Sequence, residues 1–154
     1  SLQTPQGHEI HPILKINYDA VFVFALTKEY QVVLLKQYFV SALTAHFTVI
    51  AGSVDKDKTP LEIATAELLE EAGGVAEEMI SLGSIVARKW DVGNHHFFLA
   101  KGVMLSRPQS LDESEDIQVE VVSLDRFKKM LADNEIHDSG GVVCSYKALE
   151  YLKI

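Results

Sequence analysis

The stretch Gly52-Ser53-Val54-Asp55-Lys56-Asp57-Lys58-Thr59-Pro60-Leu61-Glu62-Ile63-Ala64-Thr65-Ala66-Glu67-Leu68-Leu69-Glu70-Glu71-Ala72-Gly73-Gly74 decides how the rest of the chain is read. Thr59 is a good helix N-cap, Pro60 suits the first helical position, and Glu62 completes a Thr-x-x-Glu capping box. Gly73 then supplies a residue that turns left-handed and ends the helix. At roughly 100° per residue, Leu61, Ala64, Thr65, Leu68 and Ala72 fall in one arc of about 100°, the expected core stripe. Glu67, Glu70 and Glu71 fall in the neighbouring arc. Like charges at i, i+3 and i+4 cost a few tenths of a kcal/mol per pair, and no Lys or Arg on the helix relieves them. Two readings are open at this point: a solvated acidic face, or a ligand set for an oxygen-seeking cation such as Mg²⁺, which is held by one or two carboxylates and substrate phosphates.

Composition narrows the classes. The chain has 154 residues, 47% of them hydrophobic, enough for one globular domain over 1–154, with 1–12 expected as an irregular N-terminal segment signalled by Pro5, Gly7 and Pro12. Lys and Arg total 14 against 22 Asp and Glu, a net charge of -8. That argues against nucleic acid or an anionic membrane as partner, and an anionic small-molecule substrate would need a metal ion to bridge the two charges. Cys144 is the only cysteine, so no intrachain disulfide forms and a cytoplasmic location is expected. No apolar run reaches transmembrane length, and nothing at the start reads as a signal peptide.

Outward from the central stretch, Val21 to Leu26 is an apolar run expected as a buried strand, turning through Thr27–Tyr30 into Gln31–Lys36 as a hairpin. His46–Ile50, Ile80–Ala87 and His95–Met104 are further strands, and Ile117–Val122 alternates as a half-buried one. Ser123 caps a helix over Leu124–Asp133, and Asp138 or Ser139 starts a last helix reaching Leu152. The order implies an α+β fold, a mixed sheet between helices.

With these elements in place, Gly52–Gly73 resembles the signature box of the Nudix hydrolases, which cleave nucleoside diphosphates linked to another moiety. That box reads Gly, five residues, Glu, seven residues, Arg-Glu, an aliphatic, any residue, Glu-Glu, any residue, Gly. Gly52, Glu67, Leu68, Glu70, Glu71 and Gly73 match, while Lys58 and Ala66 stand where the box has Glu and Arg. Asp112–Ser123, Asn134–Asp138 and Val33–Tyr38 resemble the ADP-ribose pyrophosphatase branch, so the resemblance covers about residues 19–152. Branch marks differ at Ile50, Phe39 and Arg88.

The resemblance implies Mg²⁺ or Mn²⁺ bound by Glu67, Glu70, Glu71 and the main-chain carbonyl of Gly52 or its neighbour. Glu70 also counts among the catalytic carboxylates. It implies a loop carboxylate, Glu113 or Glu115 with Glu113 favoured, that takes the proton of the attacking water; the alternative for both is a solvated turn. Arg88 and Lys58 are candidates for a substrate phosphate, and Tyr38 and Trp90 for an adenine or for packing on the sheet. The implied reaction splits a nucleoside diphosphate sugar such as ADP-ribose into a nucleotide and a sugar phosphate. A nucleotide- or protein-binding module is the rival, motivated by Lys58 and Ala66; a further alternative is an active enzyme on another diphosphate, such as a dinucleoside polyphosphate, and a homodimer is expected by analogy. His95 and His96 are adjacent on a strand, point to opposite faces and cannot chelate one ion together. Cys144 is expected in the core.

Overall fold

A computed structural model of the chain describes residues 2–10, 15–16, 19–55, 57–89, 91–113 and 115–154. Trp90 and Pro12 lie outside the described residues. Residues 1–12, expected to be irregular, contain a small antiparallel ladder of β1 (Leu2–Gln3) and β2 (Glu9–Ile10). Its turn is closed by Gly7 N–H donating to Thr4 O at 2.8 Å. β3 (Lys15–Ile16) pairs in parallel with β10 (Asp91–Val92).

The main sheet is built on β4 (Ala20–Thr27) and β11 (Asn94–Leu105), which run parallel at its centre. β5 (Gln31–Phe39) pairs antiparallel with β4 only at Ala25 and Leu26, and then diverges from it. Past that point β6 (Thr44–Thr48) pairs with β5, and β7 (Ile50–Ser53) pairs with β4. The expected single strand His46–Ile50 is therefore two strands, broken at Val49, and the chain passes from one neighbour to the other there. β8 (Gly74–Val75) and β9 (Glu78–Val86) pair with β11, and β12 (Ile117–Ser123) pairs with β5.

Helices cover both faces. α1 (Pro60–Ala72) lies on one, and α2 (Leu124–Ala132) with α3 (Ser139–Leu152) on the other. In β4, Val21, Val23 and Ala25 face α1, while Phe22, Phe24 and Leu26 face α2 and α3. Both sides are dry, which is why this strand reads as a continuous apolar run rather than an alternating one. Ser123 caps α2 as expected, and Asp138 caps α3 by accepting from the N–H groups of Gly140 and Gly141, both at 3.2 Å.

The adjacent histidines do face opposite ways. His95 packs edge-on against Phe22 on the α3 side, with ring centroids 4.8 Å apart. His96 Nε2 lies 2.7 Å from Asp19 Oδ2, and Asp19 Oδ1 accepts from Asn94 N–H at 2.9 Å. Cys144 is fully buried between α3 and the sheet, and desolvation pushes its thiol up to about 12, so it has no nucleophilic character.

The Asp19 pair carries a pH dependence. The hydrogen bond from His96 holds the Asp19 carboxyl below its usual 3.8 in the folded chain. Its stabilisation is therefore complete above the unfolded-state pKa and is lost as pH falls through the lower folded value. Asp19→Ala should lower the urea-unfolding free energy by about 1 kcal/mol at pH 7, the net worth of such bonds at a partly exposed site. The gap between variant and wild type should narrow as pH falls below the unfolded-state pKa and through the lower folded value.

Candidate active site

α1 begins and ends as its sequence dictates. Thr59 Oγ1 accepts from Glu62 N–H at 3.2 Å, and Glu62 Oε2 accepts from Thr59 N–H at 2.7 Å. Gly73 adopts φ 64° and donates to Leu68 O and Leu69 O. The buried side is not the expected stripe, however. Ile63, Ala64, Leu68, Glu71 and Ala72 are buried, whereas Leu61 and Thr65 are exposed. The helix is rolled by roughly 60° from the apolar arc, towards its glutamates. Glu71 keeps only 6% of its surface and Glu67 is half-buried, while Glu70 stays exposed at the rim.

The sheet makes room for this roll at Gly52. A Cβ there would strike the Glu67 side chain, 2.6 Å from its Cγ, so only glycine lets that carboxylate lie on the β7 backbone. One residue earlier, Ala51 N–H donates to Glu71 Oε2 at 3.1 Å. Burial, followed by the charges of Glu70, Glu115 and Asp112, raises Glu67 to about 7. Burial raises Glu71 to about 8, opposed by the Ala51 hydrogen bond and assisted by Glu67, Glu115 and Glu70. Every side chain whose charge raises these two groups is another carboxylate.

Such a donor set, all oxygen and rich in negative charge, fits a hard divalent cation. Among the described residues no three Asp, Glu, His or Cys side chains are drawn in tightly enough to encircle an ion by themselves.

A second acidic element reaches the same place. The loop after β11 is laid along the C-terminal carbonyls of α1, which have no partner inside the helix. Arg107 N–H donates to Gly73 O at 3.1 Å and Ser110 N–H to Glu70 O at 2.9 Å. The Gln109 side-chain amide donates to Glu71 O at 2.6 Å and to Ile117 O at 3.1 Å. Beyond it, Asp112 N–H donates to Glu115 Oε2 and Glu115 N–H to Asp112 O, both at 2.9 Å. The charge of Glu115 thereby falls on Glu67 and Glu71; that of Glu113, exposed at the tip, is not among those acting on them.

The remaining candidates stand elsewhere. Lys58 is exposed and acts electrostatically on Glu62, not on the carboxylate cluster. Arg88 is exposed, 3.9 Å from Asp91. Tyr38 borders a cleft of about 250 Å³ with Lys36, Asp116 and Gln118, beside the acidic loop. Gln109 and Asp112 were not singled out from sequence. Gln109 has no local signal, since its partner Glu71 is 38 residues away.

The NUDIX domain model matches residues 17–140. A methanol dehydrogenase activator of Bacillus methanolicus is 30% identical over 157 residues, spanning 99% of this chain and 82% of the relative. An ADP-ribose pyrophosphatase of Bacillus subtilis (strain 168) is 27% identical over 155 residues, with the same coverage. A crystal structure of an ADP compounds hydrolase superposes with a TM-score of 0.76 at 23% identity, covering 92% of this chain and 75% of that one, and so shares its fold. With its box glutamates rolled onto the glycine backbone of β7, the chain belongs to the NUDIX domain family and is a Nudix hydrolase.

Proposed function

We propose that the chain hydrolyses a nucleoside diphosphate sugar such as ADP-ribose to a nucleoside monophosphate and a sugar phosphate, with Mg²⁺ or Mn²⁺ required. The observation that carries this reading is the pairing of Glu67, packed on the backbone of Gly52, with Glu71, held by the Ala51 N–H, in the field of the Glu70 and Glu115 carboxylates. The similarity to the Bacillus subtilis ADP-ribose pyrophosphatase supports the choice of substrate.

Glu67, Glu71 and the Gly52 carbonyl would hold the metal, with Glu70 at the exposed rim able to reach it through water. A divalent ion bound there supplies Lewis-acid neutralisation of the phosphate oxygens and lowers the pKa of a coordinated water. The Ala51 N–H fixes the orientation of Glu71, so its other oxygen stays available. A loop carboxylate takes the proton of the attacking water as the new P–O bond forms. The bridging P–O bond breaks, and the departing phosphate carries away its electron pair. Glu115 is the better placed base in the conformation described, and Glu113 would need the loop tip to turn inward.

A second reading is a module that binds nucleotide or protein with little turnover. Lys58 and Ala66 favour it, because they remove the two opposite charges that orient the box carboxylates in the family. The name of the Bacillus methanolicus relative, an activator of another enzyme, favours it too.

A panel of ADP-ribose, dinucleotides and dinucleoside polyphosphates with Mg²⁺ or Mn²⁺ separates the readings. Glu71→Gln preserves shape and the Ala51 bond but should lower turnover by about 10²–10³-fold, typical of removing one preorganised charged group. Wild-type turnover at the Glu71→Gln background throughout would leave the binding module standing. Glu115→Gln and Glu113→Gln should differ in kcat by about tenfold or more, Glu115→Gln being the slower, since a positioned base contributes about 10²–10⁴. The reverse order would transfer the role to Glu113. Gly52→Ala should weaken Mn²⁺ binding, followed by electron paramagnetic resonance, by about 10–100-fold through displacement of Glu67. Undiminished affinity would remove Gly52 and Glu67 from the metal site.

A further inference from the structure

We propose that Gln109 is a positioning residue for this site: its side-chain amide closes the neck of the acidic loop and so sets Glu115 against the helix carboxylates. The inference rests on the hydrolase reading for its kinetic test, though not for its structural one.

The Gln109 amide has two N–H bonds and uses them on two carbonyls, Glu71 O at 2.6 Å and Ile117 O at 3.1 Å. One carbonyl belongs to the last turn of α1 and the other to the first residue of β12, so a single side chain ties together the two elements that flank the loop. Glu71 is also the residue whose carboxylate is buried over β7, and Ile117 follows Glu115 by two residues. The path from the helix carboxylate to the loop carboxylate therefore runs through the Glu71 backbone, the Gln109 amide and the short segment from Ile117 back to Glu115. Ser110 N–H on Glu70 O starts the loop, and the reciprocal bonds between Asp112 and Glu115 close its tip. Those contacts hold the loop internally and at its beginning, whereas Gln109 alone among the described side chains donates across to the β12 end as well. No other side chain of this size supplies two donors on one atom without charge: leucine has none, and ionised glutamate would set an acceptor against two acceptors.

The tests use the full chain carrying Gln109→Leu, which keeps the bulk and removes the donors. In hydrogen exchange, the amides of Ser110, Asp112 and Glu115 should exchange at least about tenfold faster than in the wild type while those of β4 are unchanged. Unchanged loop exchange would overturn the proposal. In kinetics, Gln109→Leu should lower kcat by about tenfold or more with KM within about threefold, as expected when a group is misplaced but the substrate contacts remain. In a Glu115→Gln background the same substitution should cost nothing further, because both changes then remove one function. Multiplicative losses in the double variant would mean that Gln109 does not act through Glu115. Gln109→Glu should reproduce the slow kcat near neutral pH and recover partially as pH falls and its carboxyl gains a donor proton; a flat ratio to wild type would count against the donor role. Absence of turnover in the wild type would sink the hydrolase reading, while the exchange result would still decide whether Gln109 holds the loop.

Discussion

Turning a carboxylate into a protein interior costs several kcal/mol unless a cation or hydrogen bonds receive it. α1 turns two that way. Packed by its apolar arc alone, this helix would turn Leu61 and Thr65 to the sheet and leave Glu67 and Glu71 at the side, where water solvates them. In the folded chain the helix is rolled away from that arc, with Leu61 exposed and Glu71 almost closed off. What compensates is local and limited: one N–H from Ala51 to Glu71, and the missing Cβ of Gly52 beneath Glu67. The cluster is left with an excess of negative charge that a bound proton or a cation relieves.

The rest of the molecule can be understood as the frame for that roll. The two-sided core around β4 supplies the rigidity, because Val21, Val23 and Ala25 support α1 while Phe22, Phe24 and Leu26 rest on α2 and α3. The divergence of β5 from β4 admits β6 and β7 on their separate neighbours and brings Gly52 under the middle of α1. At the far end of the helix the orphan carbonyls are not left to water. They receive Arg107, Gln109 and Ser110, so ordinary helix termination also docks the loop that carries Asp112 and Glu115. Capping and site assembly are here one set of hydrogen bonds.

Several features were legible before any fold was known. The capping box at Thr59 and Glu62, the stop at Gly73, the buried run of β4, the opposed directions of His95 and His96 and the core position of Cys144 all follow from local chemistry or periodicity. The split of His46–Ile50 into two strands was not legible, because both pieces keep one alternation and only their pairing partners differ. Lys58, which sits in the middle of the signature stretch, reads as a neighbour of the carboxylates. In three dimensions it stands in the loop before the helix, against Glu62.

By itself, then, the sequence determined the limits of α1, the spacing of its glutamates, the glycine beneath them and the family to which they belong, since these depend on residues close together in the chain. Tertiary structure decided which side of α1 faces the sheet and how the acidic loop docks on the helix end. The physical reason is that both outcomes turn on contacts between residues far apart in the chain: Ile63, Ala64 and Leu68 in the core with Val21, Val23 and Ala25, Ala51 with Glu71, and Gln109 with Glu71 and Ile117.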